Sequence, residues 1–147
     1  MLQREVDRER RLQCDLPARL GVAAAAAVLA LTAVPYAVTG PTSVSAYYGV
    51  GIASPVFVSL LAVVGAVTLL SGATGRSDPA LAAGVAVTVS AFAVVLAIVW
   101  ALPAREVALG IDLSGGADVW FGYHSPAVVV VTLVLAAASG LYARSVL

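Results

Sequence analysis

The sequence has no lysine, no asparagine, one cysteine and one histidine. Charged residues make up only 11% of its 147 positions, against about 25% in a soluble domain. So little charge cannot cover a soluble surface or keep a chain disordered in water. The lone Cys14 excludes an internal disulfide framework and reads as a free thiol on the reducing side. The formal net charge is zero, which excludes the electrostatic footprint of a nucleic-acid binder. The sequence also lacks G-x-S-x-G, H-E-x-x-H, a P-loop and paired cysteines, so no familiar catalytic or cofactor motif is present.

What fills the chain instead is apolar. The residues A, V, I, L, M, F, W, Y and C account for 61% of it, and the mean hydropathy is +1.01. No fold of this size could hide so much apolar side chain from water, which leaves an integral membrane protein.

Gaps between charges count the spans. Positions 20–75 hold no Asp, Glu, Lys, Arg or His, a run of 56 residues. That is enough for two helices of about 20 residues each, divided at the turn-forming Thr39, Gly40, Pro41, Thr42 and Ser43. Positions 79–104 and 125–143 give 26 and 19 more uncharged residues. The apolar runs are continuous rather than alternating, which favours helices over barrel strands. The expectation is an all-α membrane protein, a four-transmembrane-helix bundle. Its helices lie at about 17–38, 54–71, 78–102 and 125–143, with residues 1–16 as a tail and 17–147 as a single membrane domain. Ser54-Pro55, Asp78-Pro79 and Ser125-Pro126 each set a capping side chain before a proline suited to the first helical turn. Pro35 predicts a kink or early stop in the first span, and Pro103 closes the third. Small pairs such as Ala62 and Ala66, Gly84 and Thr88, and Ala136 and Gly140, with Gly65, would let helices approach closely.

Arginine counting gives the orientation. A cytoplasmic N-terminus puts Arg4, Arg8, Arg10, Arg11, Arg19, Arg76 and Arg144 inside and leaves Arg105 outside. That is a strong positive-inside bias, so both termini are expected in the cytoplasm of a multi-pass cell-membrane protein. The first span is expected to be retained as an anchor, since positions 20–38 exceed a usual signal-peptide core. Two outer loops follow, 39–53 and 103–124.

The second outer loop is the informative one. Residues 107–113 alternate in part, Ser114-Gly115-Gly116 signals a turn, and 117–123 are rich in aromatic and β-branched residues. This predicts a small β-hairpin, with 43–48 as a third strand. The outer cap then holds Tyr47, Tyr48, Trp120, Phe121, Tyr123 and His124 as a sealing or recognition cluster, with Asp112 and Asp118 as nearby polar groups. A sealing role predicts that Trp120→Ala lowers recovery of folded protein. No catalytic, cofactor or metal residue is assigned. Tyr47-Tyr48-Gly49 before Ser54-Pro55 and Trp120-Phe121-Gly122 before Ser125-Pro126 also read as a tandem repeat of two helical hairpins.

With its Arg-only basic set, its Ala/Val-rich spans and its two aromatic-Gly then Ser-Pro helix entries at 47–55 and 120–126, the whole chain resembles small four-span membrane proteins of high-GC prokaryotes, particularly halophilic archaea. That resemblance implies a fold and no activity. The functional expectation is a non-enzymatic structural or accessory membrane subunit. Its partners are the lipid bilayer and other membrane subunits or further copies of itself. The alternative is a small oligomeric transporter or channel component. The spans carry no ionisable group of the kind coupled transport uses at membrane depth.

Overall fold

A computed structural model describes the backbone of residues 2–39, 41–110 and 117–147, and the side chains of 15–39, 41–110 and 119–147. Five helices are present: α1 (Leu2–Val38), α2 (Pro41–Tyr48), α3 (Pro55–Ala73), α4 (Pro79–Leu109) and α5 (Ala117–Val146). Four of them contain stretches long and apolar enough to cross a membrane: Asp15–Val38, Pro55–Ala73, Pro79–Leu109 and Val119–Val146. The long helices form a ring in which α1 packs on α3, α3 on α4, α4 on α5, and α5 back on α1. Antiparallel neighbours gather Arg19, Arg76 and Arg144 at one end and Arg105 at the other.

Two of the three Ser-Pro or Asp-Pro helix starts form as the residues dictate. Ser54 caps α3 by accepting from Val56 N, and Asp78 Oδ1 accepts from Leu81 N at 2.9 Å to cap α4. Gly75, at φ +70°, makes the turn between α3 and α4, a conformation open to glycine. The third start does not form. Helix α5 begins at Ala117, so Ser125 and Pro126 lie in its interior. Helix α4 likewise runs through Pro103 to Leu109, and α1 through Pro35 to Val38. Such prolines are tolerated in membrane helices because neighbours satisfy the carbonyls they free. The two aromatic-Gly motifs therefore differ in local structure, one after a short separate helix and one inside a long helix.

The expected β-hairpin is overturned. Among the described residues there is no strand. Residues 107–109 end α4 and 117–123 begin α5, while 43–48 fall in α2; the expected turn at 114–116 and the strand residues 111–113 lie outside the described residues. A two-stranded hairpin is marginal, whereas a helix pairs its own backbone groups. The buried positions Phe121, His124, Ser125, Val128, Thr132, Leu135, Ser139 and Tyr142 recur at three and four. That spacing makes one helical face and outweighs the strand preference of the individual side chains.

Side-chain size is sorted in the opposite sense from a water-soluble bundle. The inward face of α4 is Ala83, Ala86, Ser90, Ala93, Ala97, Trp100, Ala104 and Ala108, all buried. The outward face carries Phe92 at 64% and Leu102 at 71% exposure. In water this arrangement would forfeit the hydrophobic effect. In lipid, no such force acts between helices, and small residues gain by letting backbones approach. The close approaches fall at Gly21 and Gly72. A Cβ on Gly21 would strike the Leu69 side chain, and one on Gly72 would lie 2.7 Å from Ala82 Cβ. Gly65 faces only ordinary contact, and Gly84 and Thr88 face outward.

Candidate functional site

Helix α2 lies at the end of the bundle where Pro35 interrupts the hydrogen bonding of α1. A proline has no N–H, so the carbonyl four residues earlier, that of Leu31, loses its helical donor. His124 of α5 supplies one: its Nε2 lies 2.7 Å from the Leu31 carbonyl oxygen. A carbonyl can only accept, so Nε2 carries the hydrogen. In the neutral ring Nδ1 is then an acceptor, and it takes the hydroxyl of Tyr47 at 3.0 Å. Both nitrogens of the single histidine are thereby engaged, one to α1 and one to α2.

A second set of bonds runs beside the first. The Tyr48 hydroxyl donates to the Thr32 carbonyl at 2.6 Å. The Thr32 hydroxyl spends its hydrogen on the Val28 carbonyl at 2.9 Å. It therefore accepts from Ser59 Oγ, 2.7 Å away on α3. Trp100 Nε1 lies 3.4 Å from the Tyr47 carbonyl, a long bond to one of the carbonyls left free at the end of α2. Other hydroxyls in the spans, those of Thr68, Thr88, Ser90, Thr132 and Ser139, bond back to their own helices.

Tyr47 is the hub of the packing. Its ring centroid lies 5.1 Å from Phe121, 5.4 Å from Trp100, 5.6 Å from Tyr48 and 5.7 Å from His124. These separations suit edge and tilted aromatic contacts. Tyr47 and Trp100 have no exposed surface at all. Burial pushes the Tyr47 phenol up to about 12. Tyr48 is also raised, first by burial and then by the neighbouring phenols of Tyr36 and Tyr47. Both hydroxyls are thus held as neutral donors. The fully buried Ser125 hydroxyl faces the Tyr47 oxygen closely enough to favour its ionised form slightly. It nevertheless falls outside hydrogen-bond geometry and has no partner.

Of the six residues expected in an outer cap, the structure brings together Tyr47, Tyr48, Phe121 and His124. Trp120 and Tyr123 point away, 75% and 70% exposed. They border a groove of about 460 Å³ between α1 and α5, floored by Leu31, Val34, Phe121 and His124. Asp112 and Asp118 lie outside the described side chains. Three participants escape a reading of the sequence: Trp100, the Thr32–Ser59 pair and the Leu31 carbonyl. The last had a signal, since a proline inside a span leaves an acceptor needing a donor and the chain has a single histidine. Among the described residues no three His, Cys, Asp or Glu side chains gather where they could hold a metal ion.

Chemically, the arrangement is a plug. Apart from the Ser125 hydroxyl, its donors and acceptors are spent on one another and on helix carbonyls, and its rings pack around Tyr47. Neither a curated protein nor a solved structure matches the chain. The profile of a family of unknown function, DUF7548, matches residues 12–147. Covering nearly the whole chain, that match makes the protein a member of the DUF7548 family.

Proposed function

We propose that this protein is a non-enzymatic accessory subunit of the cell membrane, with both termini in the cytoplasm and the α2 end outside. The supporting observation is that the α2 end is closed by Tyr47, Tyr48, Trp100 and His124, whose polar groups are already bonded. His124, the one side chain suited to proton transfer near neutral pH, is bonded at both nitrogens. Meanwhile the amphipathic rings of Trp120 and Tyr123 face outward at the same end, available to a neighbouring membrane subunit. The orientation rests on the arginines gathered at the opposite end.

Mass measurement of the complex extracted in mild detergent tests the subunit reading. A stoichiometric partner of different mass, lost in a folded Trp120→Ala, Tyr123→Ala double variant, is the expected result. A symmetric homo-oligomer that conducts ions or solutes in a planar bilayer would replace this reading with a channel or transporter component. Cysteine labelling of intact cells at Ser114 and at Ser77, in a Cys14→Ser background, tests the orientation. Modification at Ser77 and not at Ser114 would reverse it.

A further inference from the structure

A second groove, of about 290 Å³, runs between α4 and α5 on another side of the same end. Its lining is graded along the helices. Because α4 and α5 are antiparallel, Arg105 and Ser125 both stand toward the α2 end, and Ile98, Val129 and Val130 toward the middle of the bundle. Arg105 lies 26 residues beyond Pro79 on a continuous helix, about 39 Å along the axis. The hydrocarbon is only about 30 Å thick, so Arg105 reaches headgroup depth. Among the described residues the ion pair is Arg19 with Asp15, and Arg105 has none. A second observation concerns a residue of the same lining: Ser125 has no exposed surface, and its hydroxyl, beside the Tyr47 oxygen but outside hydrogen-bond geometry, has no partner. A buried donor is rarely left unpaired in a folded protein.

We propose that this groove is a binding site for an anionic phospholipid of the outer leaflet. The lipid phosphate pairs with the Arg105 guanidinium and accepts from the Ser125 hydroxyl, which turns from Tyr47 toward the groove. One acyl chain lies along Leu102, Ile98, Val129 and Val130. Charge sets the class of headgroup: a phosphodiester without a compensating cation gains from Arg105, whereas a choline headgroup brings its own positive charge. The polarity gradient sets the source. A free phosphate would use the polar end alone and leave the apolar end without a purpose.

Native mass spectrometry of the full chain in detergent tests this, with phosphatidylglycerol and phosphatidylcholine of identical acyl chains as probes. The expected result is about a tenfold preference for phosphatidylglycerol, equivalent to about 1.4 kcal/mol. Arg105→Gln should abolish the preference and Ser125→Ala should cut it several-fold. Arg144→Gln, at the opposite end, should leave it intact. Arg105 is exposed and the Ser125 hydroxyl has no partner, so both variants retain the fold, which tryptophan fluorescence verifies. Equal binding of the two lipids, or a full preference in either the Arg105 or the Ser125 variant, overturns the site. Saturation by inorganic phosphate or glycerol phosphate at the lipid's own concentration overturns the lipid as its occupant.

Discussion

The bond from His124 to the Leu31 carbonyl can be isolated by changing the proline that makes it necessary. Interhelical hydrogen bonds in membranes contribute about 0.6 kcal/mol on average and up to about 1.7. The average is low because polar groups find other partners when helices separate. The Leu31 carbonyl finds none within its own helix, since Pro35 has no N–H in any state of the chain. Its bond to His124 therefore belongs near the top of that range. His124→Leu removes it and also leaves the Tyr47 hydroxyl unpaired, for a total of about 2–3 kcal/mol. Pro35→Ala restores an N–H four residues beyond Leu31, which serves the carbonyl whether or not α5 is docked. In that background His124→Leu should cost about 1.5 kcal/mol less, because only the Tyr47 loss remains. The Tyr47 contribution is common to both backgrounds and cancels from the coupling. The assay is unfolding in mixed micelles of rising dodecyl sulfate content. Trp120→Phe in every chain lets Trp100, in contact with His124, report alone. Additivity of the two substitutions within about 0.5 kcal/mol would refute the argument.

Three other outcomes follow from the packing and the burial. The folded-state value for Tyr47 lies near 12, above its ordinary 10.0, so the unfolded chain releases that proton first. Stability should be level below pH 10 and fall as pH rises toward 12; tyrosinate absorbance recorded with unfolding checks this, and Tyr47→Phe with Tyr48→Phe should flatten the fall. Gly72→Ala would bring a Cβ to 2.7 Å from Ala82 Cβ, which cannot swing aside. It should cost about 1–3 kcal/mol, whereas Gly84→Ala, with nothing within 4 Å, should be neutral or slightly stabilising in the same unfolding titration. Trp100→Ala should lose about 3–5 kcal/mol by opening a cavity beneath α2, while Trp120→Ala should change folded yield little. The reverse order would restore Trp120 as the sealing aromatic.

The membrane spans were legible in the sequence because charge gaps and hydropathy are properties of whole segments, and lipid enforces helix on any long apolar run. The capped starts at Ser54 and Asp78 were legible for a local reason: side chain, proline and following residues are contiguous. Two kinds of feature were not. Helix ends at Pro103 and Ser125 were misplaced because rules learned from water treat an interior proline as a break, while a long apolar helix in lipid runs on through it. The hairpin was misread because Val119, Trp120, Phe121 and Tyr123 favour strands one by one. The burial of Phe121, His124 and Val128 at helical spacing extends beyond the segment those preferences covered. The aromatic cluster was half legible. Composition marked Tyr47, Tyr48, Phe121 and His124, yet which rings face inward depends on the rotation of α5 about its axis. A difference of one position separates buried Phe121 from exposed Trp120.

Lipid also explains the polar chemistry of the α2 end. Away from α2 the inward face of α4 is small, from Ala83 to Ala97, and Gly72 of α3 meets it at Ala82. Small side chains bring backbones together and need no hydrogen bonds beyond those of the helices. At Trp100 the small series is interrupted, and the indole packs against Tyr47 of a short helix whose ends expose carbonyl and amide groups. Those groups, together with the Leu31 acceptor freed by Pro35, must be paired inside a low-dielectric interior, where an orphan costs more than the net value of a bond. Trp100 pairs the Tyr47 carbonyl and His124 the Leu31 carbonyl, while the Tyr47 and Tyr48 hydroxyls tie α2 to His124 and to the Thr32 carbonyl. The contacts of the alanine seam depend on shape alone, and those of the α2 end on donors that a carbonyl elsewhere in the bundle cannot replace. Loss of one donor therefore loosens α2 while leaving the seam assembled.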